Sequence, residues 1–293
     1  MSNKKSVYRE VTEKIIEALK QDLIPWQRPW NAHQCMDRNA VSGRPYRGIN
    51  VLLLNLSAMA NGFASPYWLT FLEAKKLGGH VRYGEKGTQI IFWKVLEIEE
   101  KDEEGNVILD PETGEPVVRE VPFARWYVVF NLEQTEGVRL PEKFTHELPS
   151  VKGLTEKLVA IPIVKWGKRA AYHVERDFIE LPPADAFENE DAFWSTFFHE
   201  LIHWTAKRLN RDLTGRFGDS AYAMEELVAE IGSAFLCSMA GIPCDYLQHA
   251  SYVDKWIQVL ERDSKAIFTA ARKAQEAVDW LMDQITVRAR QAA

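Results

Sequence analysis

From Val7 to Leu23 the apolar positions Val7, Val11, Ile15, Ala18, Leu19 and Leu23 recur at intervals of three and four, and Pro25 ends the pattern. That spacing predicts an amphipathic first helix. Pro25, Trp26, Pro29 and Trp30 then make a rigid aromatic loop, and GRPYRG at 43–48 leads into an almost wholly apolar helix from Ile49 to Ala60. A short helix is expected after Pro66, running through Trp68, Phe71 and Ala74 to Gly78. The period changes at 80–98, where HVRYGEKGTQIIFWKVLEI is rich in β-branched and aromatic residues and predicts two strands around a Gly-Glu-Lys-Gly turn. Residues 99–118 are acidic and contain DPETGEP, a turn signal that predicts an exposed hairpin or insertion, and the sheet resumes over 123–130.

The second half opens with a helix near Thr155 to Ala160 and short strands at 161–165, 171–174 and 178–181. Three long helical patterns follow, over 191–208, 221–239 and 251–284. Strands first and helices afterwards predict an α+β fold. At 293 residues the chain can bury one large core or two ordinary ones. We therefore expect a mixed α/β domain over 1–136, a polar linker over 137–150 and a second domain over 151–293. The longest apolar runs are broken, by Asn55 after Val51 and by Glu230 after Leu227, and no apolar stretch follows the first lysines. These features predict a soluble, cytoplasmic chain with no membrane partner. Cys35, Cys237 and Cys244 have no close pairing, which argues against a disulfide framework or a cysteine-rich zinc site.

The net charge of −6 hides a division. Residues 1–95 hold 14 Lys and Arg against 7 Asp and Glu, whereas residues 96–293 hold 22 against 35. A basic half can attract phosphates while an acidic half stays soluble. The basic half also interleaves Trp26, Trp30, Tyr46, Tyr67, Trp68, Phe71, Tyr83, Phe92 and Trp93 with Arg28, Arg44, Arg47, Arg82, Lys86 and Lys94. Rings stack on unpaired bases and cations follow the backbone, so this mixture suits a single strand better than a duplex. A tryptophan-rich core would explain many of the same rings.

Chemistry is concentrated in HELIHW at 199–204, which lies within the helical pattern of Phe193, Trp194, Phe197, Phe198, Leu201 and Ile202. His199 and His203, four apart, project from one face and can share one tetrahedral zinc, while Glu200 beside them is placed to act as a general base on water. A third ligand is needed, and YAMEELVAEIGSAFL supplies glutamates on an otherwise apolar strip. Glu226 and Glu230 share a face, which assigns Glu226 to the metal and Glu230 to the outer N–H of a ligating histidine, with Glu225 as the alternative ligand. One zinc per chain with such ligands predicts peptide hydrolysis. Tyr222, His249 and Tyr252 are candidate donors to an oxyanion, and the strand over 178–181 is a candidate edge for an extended peptide.

The stretches GRPYRGINVLLL, PYWLTFLEAKKLGGHVRYGEKGTQIIFWK and VVFNLEQTEG resemble the N-terminal domain of ArdC-type antirestriction proteins, which is also similar to a domain of plasmid TraC primases. HELIHWTAKRL, FGDSAYAMEELVAEIGSAFL and SYVDKWIQVL resemble the zincin-type peptidase domain joined to it, so the resemblance covers nearly the whole chain. It implies a plasmid-borne protein that binds single-stranded DNA and protects incoming plasmid DNA from host restriction during conjugation. A protein or peptide substrate of the host restriction machinery would be the peptidase partner. Arg44, Tyr46, Arg47, Asn50, Trp68, Thr70, Arg82 and Lys86 match the N-terminal motifs. Of these, Arg44, Tyr46, Arg47, Trp68, Arg82 and Lys86 are the candidates for DNA contact. Two other readings stay open: a DNA-occluding protein with a purely structural zinc, and a metallopeptidase toxin or processing enzyme.

Overall fold

The computed structural model describes residues 6–27, 36–102, 104–111, 113–142, 153–215, 219–243 and 252–292, with 93–96, 120–123 and 292 as backbone alone. Helix α1 (Val7–Lys20) starts at the Ser6 side chain, which accepts from the Arg9 N–H. The N-terminal half is built on a four-stranded sheet in the order β1 (Arg38–Asn39), β2 (Tyr67–Leu69), β5 (Val118–Asn131) and β4 (Thr88–Glu99). β1 and β2 are parallel, and the other neighbours are antiparallel. Helix α2 (Ile49–Asn61) lies along the outer edge of β4. There the Asn50 amide donates to the Ile91 carbonyl at 2.7 Å and accepts the Ile91 N–H at 2.8 Å. This side chain completes the backbone pairing that an edge strand lacks.

Two local expectations are corrected. Trp68 lies in β2 and not in a helix: residues 67–69 are buried between β1 and β5, and α3 (Phe71–Lys76) begins only where Thr70 and Glu73 form a capping box. The strand β3 (His80–Val81) pairs with β6 (Thr135–Glu136), not with β4, so the Gly-Glu-Lys-Gly segment joins two sheets instead of closing a hairpin. The hairpin is β4–β5 itself, in register from Thr88 opposite Val129 to Glu99 opposite Val118. The acidic segment is its tip.

The second half holds α4 (Leu154–Val159) and a three-stranded sheet of β7 (Val164–Trp166), β8 (Ala171–His173) and β9 (Phe178–Leu181), ordered β7-β9-β8. The expected peptide-accepting edge at 178–181 is therefore the central strand, paired on both sides, and β8 is an edge. Helices α5 (Glu190–Thr205), α6 (Ser220–Ala240), α7 (Val253–Arg262) and α8 (Ala266–Ala292) follow. The single helix expected over 251–284 is two helices. Asp263 is extended (φ −134, ψ 107), and its carboxylate accepts the Lys265 N–H, which restarts the chain at a new angle.

The core does not divide where the sequence composition does. Val11, Ile15 and Leu19 of α1 belong to the same buried cluster as Leu227, Trp256 and Ile267. Thr12 Oγ1 donates to the Ser264 carbonyl at 2.7 Å, Trp26 packs edge-on against Trp256 at 5.3 Å, and Lys20 pairs with Glu261. Smaller clusters around Trp68 and Leu69 fill the sheet of the first half. Among the described residues, no helix is long and apolar enough to cross a membrane.

Candidate metal centre

Asn189 caps α5 by accepting the Ala192 N–H, and the buried face of the helix, through Phe197, Phe198, Leu201 and Ile202, holds it against α6. Close approach of the two helices depends on Gly232. A Cβ added there would lie 2.8 Å from Ile202 Cδ1 and 2.9 Å from Cγ1, inside van der Waals contact. Ser233 Oγ donates to the Ser195 carbonyl at 3.0 Å, a second tie between the helices.

This pairing brings three donors to one point. His199 Nε2 and His203 Nε2 are 3.1 Å apart, Glu226 Oε2 is 3.4 Å from the first and Glu226 Oε1 is 3.5 Å from the second. A zinc ion held tetrahedrally at 2.0–2.1 Å requires donors about 3.4 Å apart, so two imidazoles and a carboxylate at these spacings fit one divalent ion with a position left open. Of the two adjacent glutamates, Glu226 faces the Nε2 atoms. Glu230 lies behind His199, with Oε1 3.6 Å from Nδ1.

Glu225 has a different place. Its Oε1 is 3.2 Å from His203 Nδ1, and Arg211 grips the carboxylate with Nε at 3.1 Å and Nη2 at 2.9 Å. Arg211 is itself buried and also donates to the Ile202 carbonyl and Thr205 Oγ1. The outer nitrogen of His203 thus meets a carboxylate at hydrogen-bond distance, the arrangement that fixes which nitrogen faces a metal, and that of His199 has Glu230 just beyond that distance. Sequence reasoning missed Arg211, because RLNRDL has no period and reads as a solvated loop. The one available signal was that adjacent buried glutamates need a cation.

Burial alone would push the His199 imidazole down, but Glu226, Glu230 and Glu200 outweigh it and raise the pKa to about 9. Burial likewise opposes ionisation of Glu226, and the two histidines overcome it, bringing the carboxyl down to about 2. Metal entry at neutral pH must therefore displace a proton from the pair.

Glu200 accepts the Tyr172 N–H at 2.7 Å, a group on the free side of β8. The β8–β9 turn is itself anchored. Arg208 Nη1 and Nη2 reach the two Asp177 oxygens at 2.5 and 2.6 Å, Tyr172 OH donates to Asp177 at 2.9 Å, and the guanidinium stacks 3.5 Å from the Trp204 ring. The donors open into a cavity of about 510 Å³ bordered by β8 and by Thr196, Leu213, Tyr222 and Tyr252. The two tyrosine hydroxyls are 3.4 Å apart. Burial is the main cause that pushes both phenols up; their mutual hydrogen bond adds to it at Tyr222 and opposes it at Tyr252, and the Glu226 carboxylate raises both, so they remain protonated donors. His249 lies outside the described residues.

The structure does not bring the DNA-contact candidates together as one surface. Trp68 is fully buried, and its indole N–H donates to Asp37 Oδ1 at 2.8 Å, so the expectation that its ring stacks on a base is corrected. Tyr46 is half-buried against two clusters, and burial pushes its phenol to about 12. Arg47 is ion-paired with Asp279 of α8 and Arg82 with Glu85, whereas Arg44 and Lys86 are exposed. Arg28 and Trp30 lie outside the described residues. With Asn50 supporting β4 and Thr70 capping α3, much of this motif serves the fold.

Residues 5–130 match the family profile of the N-terminal domain of anti-restriction factor ArdC, and residues 153–273 match that of the zincin-like metallopeptidases. The chain is 38% identical over 293 residues to a DNA primase TraC of Escherichia coli, but spans only 27% of that protein's length. It is 35% identical over 289 residues to the uncharacterized protein y4eC of Sinorhizobium fredii, covering 92% of it. Crystal structures of the antirestriction protein ArdC from plasmid R388 superpose on 96% of this chain and 98% of theirs. The metal-free form has a TM-score of 0.77 at 36% identity, and the Mn(II)-bound form 0.75 at 33%. A fold shared from end to end with these structures, and a helix pair that gathers two histidines and a glutamate at a spacing fit for one divalent ion, place this chain in the ArdC-type antirestriction family, with an ArdC N-terminal domain followed by a zincin-like metallopeptidase domain.

Proposed function

We propose that the protein binds single-stranded DNA in the cytoplasm, protects incoming plasmid DNA from host restriction during conjugation, and carries a zinc peptidase site. The observation that supports the peptidase site is the convergence of His199, His203 and Glu226 at near-tetrahedral spacing beside a Glu200 that a backbone N–H holds in place. Those three residues would hold one zinc per chain. When bound, the ion supplies Lewis-acid activation of water and of a peptide carbonyl. Glu200 takes the proton from the attacking water and returns it to the leaving amine. The half-buried edge strand β8 aligns an extended substrate beyond the Tyr172 N–H that Glu200 holds, and Tyr222 or Tyr252 donates to the carbonyl oxygen as it gains charge. A protein of the host restriction machinery is a fitting substrate. The excess of cations in residues 1–95 and the ArdC-type N-terminal domain support the DNA-binding half.

Glu200→Gln tests the mechanism, because it removes the base and leaves the ligands. It should retain one zinc per chain by elemental analysis and lose all cleavage of a peptide library. Cleavage equal to that of the parent protein would exclude the assignment.

A further inference from the structure

The β4–β5 arm has two unlike faces. Residues directly opposite in an antiparallel pair share a face, and alternate residues along each strand return to it. The register therefore puts Ile90, Phe92 and Ile98 with Arg119, Arg125, Tyr127 and Val129 on one side. Ile91, Glu97 and Glu99 lie with Val118 and Trp126 on the other. The second side turns Ile91 and Trp126 toward the main core, with Lys14 of α1 over the Trp126 ring. On the first side, Ile90 and Val129 are buried with Trp68 and Leu54, and immediately beyond them the cover ends. Phe92 and Tyr127 stand in solvent at 55% and 42% exposure, their rings 5.5 Å apart and edge to face.

Arg125 is directly opposite Phe92, Arg119 opposite Ile98, both are exposed, and among the described residues neither has a carboxylate partner. The acids Glu97 and Glu99 are on the reverse. Two neighbouring rings open to solvent beside unpaired guanidinium groups, with Glu97 and Glu99 of the paired strand on the reverse face, form a stacking platform with phosphate-neutralising charge. A duplex keeps its bases stacked inside and offers such rings nothing, whereas a single strand offers every base. We propose that this face of the arm, centred on Phe92, Tyr127, Arg119 and Arg125, is the surface on which single-stranded DNA lies. This rests on the single-strand reading above and moves the contact from the buried Trp68 to the arm.

The test uses the full chain and a fluorescent 20-nucleotide oligothymidylate, with anisotropy titrations over a range of salt concentrations. Phe92→Ala with Tyr127→Ala should weaken binding by about tenfold or more at every salt concentration. Phe92→Trp with Tyr127→Trp should restore it. Arg119→Gln with Arg125→Gln should lower the log-log salt slope by about 1.4, from about 0.7 per phosphate. Melting temperature and metal content should stay at parent values, since all four side chains are exposed. Parent-like affinity in both double variants would overturn the platform while leaving the single-strand reading intact. Equal losses on a duplex of the same length would overturn stacking as its basis. A parent protein without affinity for the oligonucleotide at low salt would overturn both readings.

Discussion

Arg211 is the residue on which the charge balance behind His203 turns, since it is the buried cation that grips Glu225. Arg211→Met would strip the buried Glu225 carboxylate of its guanidinium and leave it only the His203 contact. That should cost about 3–5 kcal/mol of stability and weaken metal binding by about 10–100-fold, read from thermal unfolding and from competition with a chelator. Glu225→Gln leaves the buried Arg211 without its carboxylate, so it should lower stability on the same scale as well as metal affinity. Arg208 gives a pH-dependent case. Its hydrogen bonds hold the Asp177 carboxyl below its ordinary value of 3.8, so the pair stabilises the fold above that value and the gain disappears as pH falls through the lower folded value. Arg208→Met should therefore cost about 1 kcal/mol at neutral pH, a charge-assisted bond discounted for the solvent that reaches Asp177. In denaturant titrations that cost should shrink as the solution is made strongly acidic. His199, Glu200 and His203 were legible in the sequence because helical spacing alone sets which side chains share a face. The role of Glu225 was not, because its partner arrives from an aperiodic loop. Trp68 misled for a related reason: an aromatic residue among cations has the same composition whether it faces a base or a core.

The distance between α5 and α6 is the element-scale quantity that sets the donor spacing, and Gly232 sets that distance. Gly232→Val would press branched carbons against Ile202 and force the helices apart, costing about 1–3 kcal/mol. Metal affinity should fall with it, although no ligand is touched, and the loss should be visible in the same chelator competition. An unchanged affinity would mean that the ligands, not the helices, define the site. Long periodic elements such as α1, α2, α5 and α6 were readable from spacing. The three-residue buried strand β2 was not, since so short an apolar run has no period. Nor does periodicity name partners. That is why β9 was mistaken for an edge and β3 for one arm of a hairpin, and why the break at Asp263 inside an unbroken apolar rhythm went unseen.

At the scale of the whole molecule, two family domains share one interior. The face of α1 that carries Val11, Ile15 and Leu19 is covered by residues of the peptidase half. A fragment ending near Glu136 should consequently be poorly soluble or melt well below the full chain, which scattering and thermal unfolding would show. A fragment as stable as the intact protein would mean that the first half closes its own core. Charge division was legible from the sequence, but shared packing was not, because composition reports what each segment contains and not what covers it. The joint between α1 and the last helices also bears on biosynthesis. Thr12 and its partner Ser264 stand 252 residues apart. At about 5–20 residues per second, the ribosome needs roughly 13–50 s to pass from one to the other. Throughout that interval the apolar stripe of the first helix has left the ribosome with its cover still unmade, which makes it a natural site for a chaperone to hold. The nascent protein then closes its main core in one late step, not half by half.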